Sequence, residues 1–193
     1  QQERPQWLSS LYLSMEQLRF SAVHRLVQGN QVDRTLLMRC ITSYYYLTYI
    51  PSNRPYRPEA RGQIGLFFSG IWYKLEPIPY ERELLERPEC VLLQQRILSP
   101  AFGIVEPADD QRLRYFGNAA WEDLLSELSK DPCLIAFTLF PMDSAELIRS
   151  AKLGMDLPVH SLGISPKSPF GILMHELSND SQKDRKNEGE TAS

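Results

Sequence analysis

Histidine and cysteine, the residues most often recruited for chemistry, are scarce here: three of each in 193 residues. Cys40, Cys90 and Cys133 lie far apart, with no CxxC or Cys-His spacing. That excludes a zinc motif or a disulfide framework legible in the sequence and reads as reduced thiols in an intracellular compartment. His24, His160 and His175 never fall at the i, i+4 spacing of a helical metal site. The chain also lacks a GxSxG elbow, the Walker lysine spacing and a dinucleotide GxGxxG pattern. Glu106, Asp109 and Asp110 crowd one turn without the regular spacing of a calcium loop. No arrangement demands a reaction, and none implies a metal or a cofactor; on these grounds the chain leans away from an enzyme.

Two further absences narrow the class. Long apolar runs are missing, and stretches such as 134–137 are far too short to cross a bilayer. A strong charge imbalance is missing too: the net charge of −3 argues against broad attraction to nucleic acid or anionic lipid. The hydrophobic fraction of 42% and charged fraction of 23% fit one soluble domain with a proper core. The chain opens QQERPQW, without a methionine or an apolar signal segment. This reads as a piece of a longer polypeptide, cytoplasmic or nuclear, with a removed organelle-targeting peptide left open.

What the chain does have is a crowded middle. Seven of its nine tyrosines lie between Tyr44 and Tyr80, alongside Trp72, Phe67, Phe68, five prolines and three arginines. Rigid aromatic area interleaved with guanidinium groups is typical of interface hot spots. Arg54, Tyr56, Arg57 and Arg61, with neighbouring Trp72 and Tyr73, therefore form the candidate partner-binding surface. The competing account has Tyr44, Tyr46, Trp72 and the phenylalanines filling a joint in the core.

The apolar spacing of Leu11, Met15, Leu18, Ala22 and Leu26 predicts a helix over 9–28, stopped by Gly29-Asn30. A second helix, capped by Asp33 and ended by Pro51, completes a helical hairpin over 1–50. An extended loop follows over 51–62, then a strand over 64–77, bent at Gly70. Further strands are expected at 90–98, 102–106 and 112–116. Asn118 is expected to cap a helix over 119–130, whose first-turn acids and last-turn Lys130 match the helix dipole. A buried strand over 133–140, a helix from Asp143 to Gly154 and a last strand over 171–177 complete an α+β domain, 51–177. Its sheet is expected to be mainly antiparallel. Residues 178–193 carry almost nothing that can be buried and read as a disordered tail.

The segment FGIVEPADDQRLRYFGNAAWEDLLSEL, 102–128, runs strand, acidic turn, strand, Asn118, then amphipathic helix. It resembles the opening of a PAS-type sensor domain, which implies a ligand pocket between sheet and helix. An ordinary hairpin with a capped helix accounts for the same residues. The reading is thus a non-catalytic interaction, scaffold or regulatory module that binds another protein or a second copy of itself. Nucleic acid is disfavoured as a partner. The alternatives are a PAS-like small-molecule sensor and an enzyme without a recognisable motif, which would need titratable groups, such as His160 or His175 beside a carboxylate, brought together from separate segments.

Overall fold

The computed structural model describes residues 14–51, 54–79 and 86–167. Residues 12–166 make one compact unit. The expected strand at 171–177 and the expected tail lie outside the described residues.

The elements run β1 (Arg19–Ser21), β2 (Val23–Gln28), α1 (Arg34–Thr42), β3 (Tyr45–Tyr49), β4 (Ile64–Phe68) and β5 (Ile71–Pro77). Then come α2 (Glu89–Leu93), a π-helical stretch (Gln94–Leu98) and α3 (Ser99–Phe102). The last part holds β6 (Leu113–Gly117), a 3-10 turn (Asn118–Ala120), α4 (Trp121–Lys130), β7 (Leu134–Leu139), α5 (Ser144–Lys152) and β8 (Gly163–Ser165). Six strands form one sheet in the order β3-β5-β4-β7-β2-β6, and every neighbouring pair is antiparallel. β1 and β8 form a separate ribbon. The fold is α+β on an antiparallel sheet.

The expected helical hairpin is not there. β2 occupies the place of the first helix because Val23 to Val27 are buried on both faces of a central strand. A strand covered on both sides reads as a continuous apolar run, so its two-residue period is hidden. The second helix stops at Thr42, although Asp33 caps it as expected, accepting from Thr35 N–H at 2.8 Å and Leu36 N–H at 3.1 Å. Past that point the aromatic, β-branched run YYLTY follows strand preference, with Tyr45 inward and Tyr46 exposed.

Two other expectations exchange identity. Residues 90–98 are helical, not extended: the apolar runs 90–93 and 97–98 are buried, and Gln95 between them is exposed, a wet position that a short apolar run does not reveal. Residues 102–106 close that helix, with Gly103 at φ 66 supplying the left-handed cap, instead of forming a strand. The expected bent strand 64–77 is a hairpin: Ser69 (φ 52) and Gly70 (φ 79) make the tight turn between β4 and β5.

β6 and β7 both pair antiparallel with β2 and so run parallel to each other, joined through α4. Helices cover both sheet faces. On one, α1 and the 89–102 helix bury Leu37, Ile41, Leu92, Leu93 and Ile97 against Val27, Ile64, Leu66, Ile135 and Phe137. On the other, Trp121, Leu124 and Leu128 of α4 pack on Leu26, Trp72, Leu134 and Ala136. The starts of β2 and β4 and the ends of β6 and β7 therefore share one end of the sheet, and the polar groups collect there.

Candidate active site

Two segments bring acids to that end, and a third brings their partners. β7 leads into α5, whose cap Asp143 accepts from Glu146 N–H at 2.7 Å and so fixes the first turn. Glu89 opens α2 immediately after Pro88. The turn before β4 supplies Arg61 and Gly62, the latter at φ 86, a conformation that favours glycine. Gly62 N–H donates to Glu89 Oε1, and Arg61 Nη2 stands 2.8 Å from Glu146 Oε1.

Both carboxyls are buried, Glu89 at 4% and Glu146 at 2% exposure. Burial pushes the Glu89 carboxyl up, with Glu146 adding like-charge repulsion, against the Gly62 N–H and Arg61, which favour the anion. Burial also raises Glu146, opposed chiefly by the Arg61 guanidinium. One guanidinium thus serves two buried acids. Tyr45 enters the same neighbourhood from β3: burial, then Glu89, drives its phenol upward. The Tyr45 hydroxyl is buried without a hydrogen-bond partner among the described residues, whereas Glu146 Oε1 is held by Arg61. Orphaned polar atoms beside an acid pair are costly unless water or a ligand completes them. The arrangement favours a protonated carboxyl above the ordinary carboxylate range, able to pass its proton to a bound group.

His24 and Arg25 open β2 on opposite faces. His24 Nδ1 accepts from Leu139 N–H at 3.2 Å, and its ring meets Trp121 edge-on at 5.4 Å. Burial lowers the imidazole to about 4, against the nearby Asn118 carboxamide, which favours protonation. Arg25 is likewise buried; its Nη1 donates to the Val23 carbonyl at 2.8 Å, and its guanidinium lies 4.6 Å from the Tyr115 ring centre. His160 is exposed and stacks on Tyr115 at 4.5 Å. His175 lies outside the described residues.

The residues singled out in the sequence divide between these structures. Trp72 is sealed at 3% exposure, tilted against Phe67 and Trp121. Tyr73 is half-buried against the first core and meets Tyr49 edge-on at 6.4 Å. The half-buried Tyr56 donates its hydroxyl proton to Gln63 Oε1 at 2.9 Å. Arg54 is exposed, Arg57 stacks on Trp121 at 4.1 Å, and Arg61 pairs with Glu146. Sequence reasoning reached Arg61 but missed Glu89, Glu146 and Tyr45 as a group. They come from α2, α5 and β3, and no spacing links them.

Two cavities, of about 210 Å³ and about 100 Å³, open at the other end of the sheet around Asn30 and Val32. Neither matches the expected PAS-like pocket, since Trp121, Leu124 and Leu128 fill the space between sheet and α4. Asn118 does not cap that helix: it lies in the 3-10 turn, which Gly117 precedes, and Ala120 takes the cap position of α4, with no side-chain hydrogen bond at either. Among the described residues, no cluster of His, Cys, Asp and Glu is placed to hold a metal, and no helix is long and apolar enough to span a membrane.

No protein-family model matches the chain, and no curated protein matches it. Two solved structures of a free serine kinase, each a single-residue variant in complex with AMP, are similar at a TM-score of 0.47 and 9% identity. Each alignment covers 77% of this chain, which spans about half the length of those proteins (55% and 54%). The expectation of a non-catalytic scaffold is corrected on the residues that were to form its surface. Of those residues Trp72 lies inside, Arg57 and Arg61 engage Trp121 and Glu146, and Arg54 stays exposed.

Proposed function

We propose that this chain carries out general acid–base chemistry on a small anionic substrate at the site formed by Glu89, Glu146, Tyr45 and Arg61. The observation that carries this reading is the buried pair of carboxyls served by a single arginine. Two neighbouring buried acids cannot both ionise cheaply, so the pair retains one proton under conditions where an ordinary carboxyl has lost it. Glu146, facing Arg61, is the anionic member; Glu89 holds the proton and donates it. The side chain of Arg61 is 34% exposed and offers the entry point, where an anionic substrate group would meet its guanidinium. The unpartnered Tyr45 hydroxyl supplies a second donor. An intracellular setting suits the three free cysteines.

The test is turnover of a panel of phosphate and carboxylate esters by the wild type, Glu89→Gln and Glu146→Gln. The wild type should turn over at least one class, with a rate that falls as pH rises and Glu89 ionises. Glu89→Gln should lose roughly a hundredfold or more, within the range for removing a general acid. Equal rates in the wild type and Glu89→Gln, or no turnover across the panel, would reject the reading.

A further inference from the structure

Charge is compensated unevenly among the arginines. Arg61, Arg112 and Arg114 are exposed, and they meet carboxylates at 2.8 Å, 2.6 Å and 2.6 Å respectively. Arg25 of β2 is 2% exposed, and among the described residues no carboxylate reaches it. Its Nη1 donates to the Val23 carbonyl at 2.8 Å, whereas Nη2 stands 3.4 Å from the Val159 carbonyl, near the limit for a hydrogen bond. Burial lowers this guanidinium to about 10, opposed by the Tyr115 phenol and the Cys90 thiol. Burial pushes both of those groups up in turn, so neither supplies a negative charge near neutral pH. A cation taken out of water without a counter-charge is costly until an anion reaches it.

The second observation is what covers Arg25. The Val159 carbonyl that touches it belongs to a residue 38% exposed, so a single layer of chain stands there between guanidinium and solvent. This layer, Pro158 to Ser161, runs between Leu157 and Leu162, which are partly buried against the first core and anchor it. Among the described residues the four make no backbone hydrogen bond to a neighbouring element. His160 is held at φ 54, a conformation that side chains rarely adopt, with its ring stacked on Tyr115 at 4.5 Å. The Ser161 hydroxyl turns back to the Pro158 carbonyl and lies beside the Cys90 thiol. So few ties make 158–161 a strap that lifts at lower cost than the strands beneath it separate.

We infer that Arg25 anchors a binding site for a small oxyanion, which the 158–161 strap closes when empty, with the Val159 carbonyl standing in for a ligand oxygen. A neutral carbonyl at 3.4 Å is a poor partner for a guanidinium. A charged oxygen binds the same N–H groups at shorter distance and more strongly, and the planar fork can take two oxygens of one anion. Entry of the anion displaces Val159 and supplies the missing counter-charge. Phosphate and carboxylate groups share this chemistry.

Inorganic phosphate and acetate, titrated separately into the full ¹⁵N-labelled chain at constant ionic strength with chloride as control, test this site. The Val159, His160 and Ser161 amides should shift saturably with at least one of them, and the one that acts names the class. Arg25→Met should abolish the shifts yet melt no lower than the wild type in chloride, because it removes an uncompensated charge. His160→Ala frees the strap from Tyr115 and should tighten the apparent affinity about threefold, since closed strap and anion compete. Binding is read here, not turnover, so the result stands apart from the acid–base reading. No saturable shift at 159–161 with either anion, or weaker binding by His160→Ala, overturns the inference. A marked fall in the melting temperature of Arg25→Met also overturns it, by showing Arg25 to be a satisfied structural group.

Discussion

The two ends of the sheet differ in a way that runs against intuition. One end, around Asn30 and Val32, has the hollows, yet its polar groups answer one another. Arg112 donates to Asp110 through Nε at 2.9 Å and Nη2 at 2.6 Å, and through Nη1 to the Phe102 carbonyl. Gln28 Nε2 reaches Asn30 and Asp131, each at 3.1 Å. The other end buries Glu89, Glu146, Tyr45 and His24 and leaves the Tyr45 hydroxyl without a hydrogen-bond partner among the described residues. Empty volume lined by satisfied groups has little free energy to offer a ligand. Unsatisfied donors and acceptors in a low-dielectric setting have more, because a ligand relieves a cost already present.

The largest expected effect is an acid-side loss of stability from His24. Its folded value near 4 lies below the ordinary 6.5, so the unfolded chain binds more protons between those limits. Its stabilising contribution is complete above 6.5 and falls away as pH drops through 4, by about 3 kcal/mol in all. Urea melts across this window should slope less steeply in His24→Gln than in the wild type. An unchanged slope would place the loss elsewhere.

Glu89 and Glu146 give the opposite sign. Their folded values are raised, so their contribution is present below the ordinary carboxylate range and fades as pH climbs through the raised values. Glu89→Gln should flatten the alkaline side of the stability curve. Next in size is Arg61→Ala, which strands Glu146 and should cost about 2 kcal/mol, less than a fully buried pair because the arginine is 34% exposed. Adding Glu146→Gln should recover most of that loss; a double variant as unstable as the single one would contradict the pairing. The smallest change belongs to the other end. Arg112→Ala, breaking a bridge whose arginine side chain is 44% exposed, should cost under about 1 kcal/mol.

How far the sequence could be read depended on how each segment is covered. From β6 onward the expectations largely hold: a strand near 112–116, a helix near 119–130, a buried strand near 133–140 and a helix after Asp143 all appear. There the turns are polar and each helix has one wet face, so period and boundary agree. The N-terminal half misleads because β2 is buried on both sides and the 89–102 helix begins with five consecutive buried residues. Without a solvent face, hydrophobic period cannot separate strand from helix.

The site was harder still. Arg61 stood out for its aromatic and proline neighbours, but its acids come from residues 28 and 85 positions away in the chain. His24 looked like an edge-of-core imidazole on a helix. Only the folded chain shows that one ring nitrogen is held by Leu139 N–H and that Asn118 stands beside the ring.

A ¹³C NMR titration of the Glu89 and Glu146 side-chain carboxyls tests the central claim most directly. At least one carboxyl should remain protonated well above the ordinary glutamate range, and replacing its partner with Gln should lower that value. Two independent titrations near 4.5, indifferent to each other's replacement, would show two ordinary glutamates and contradict the account.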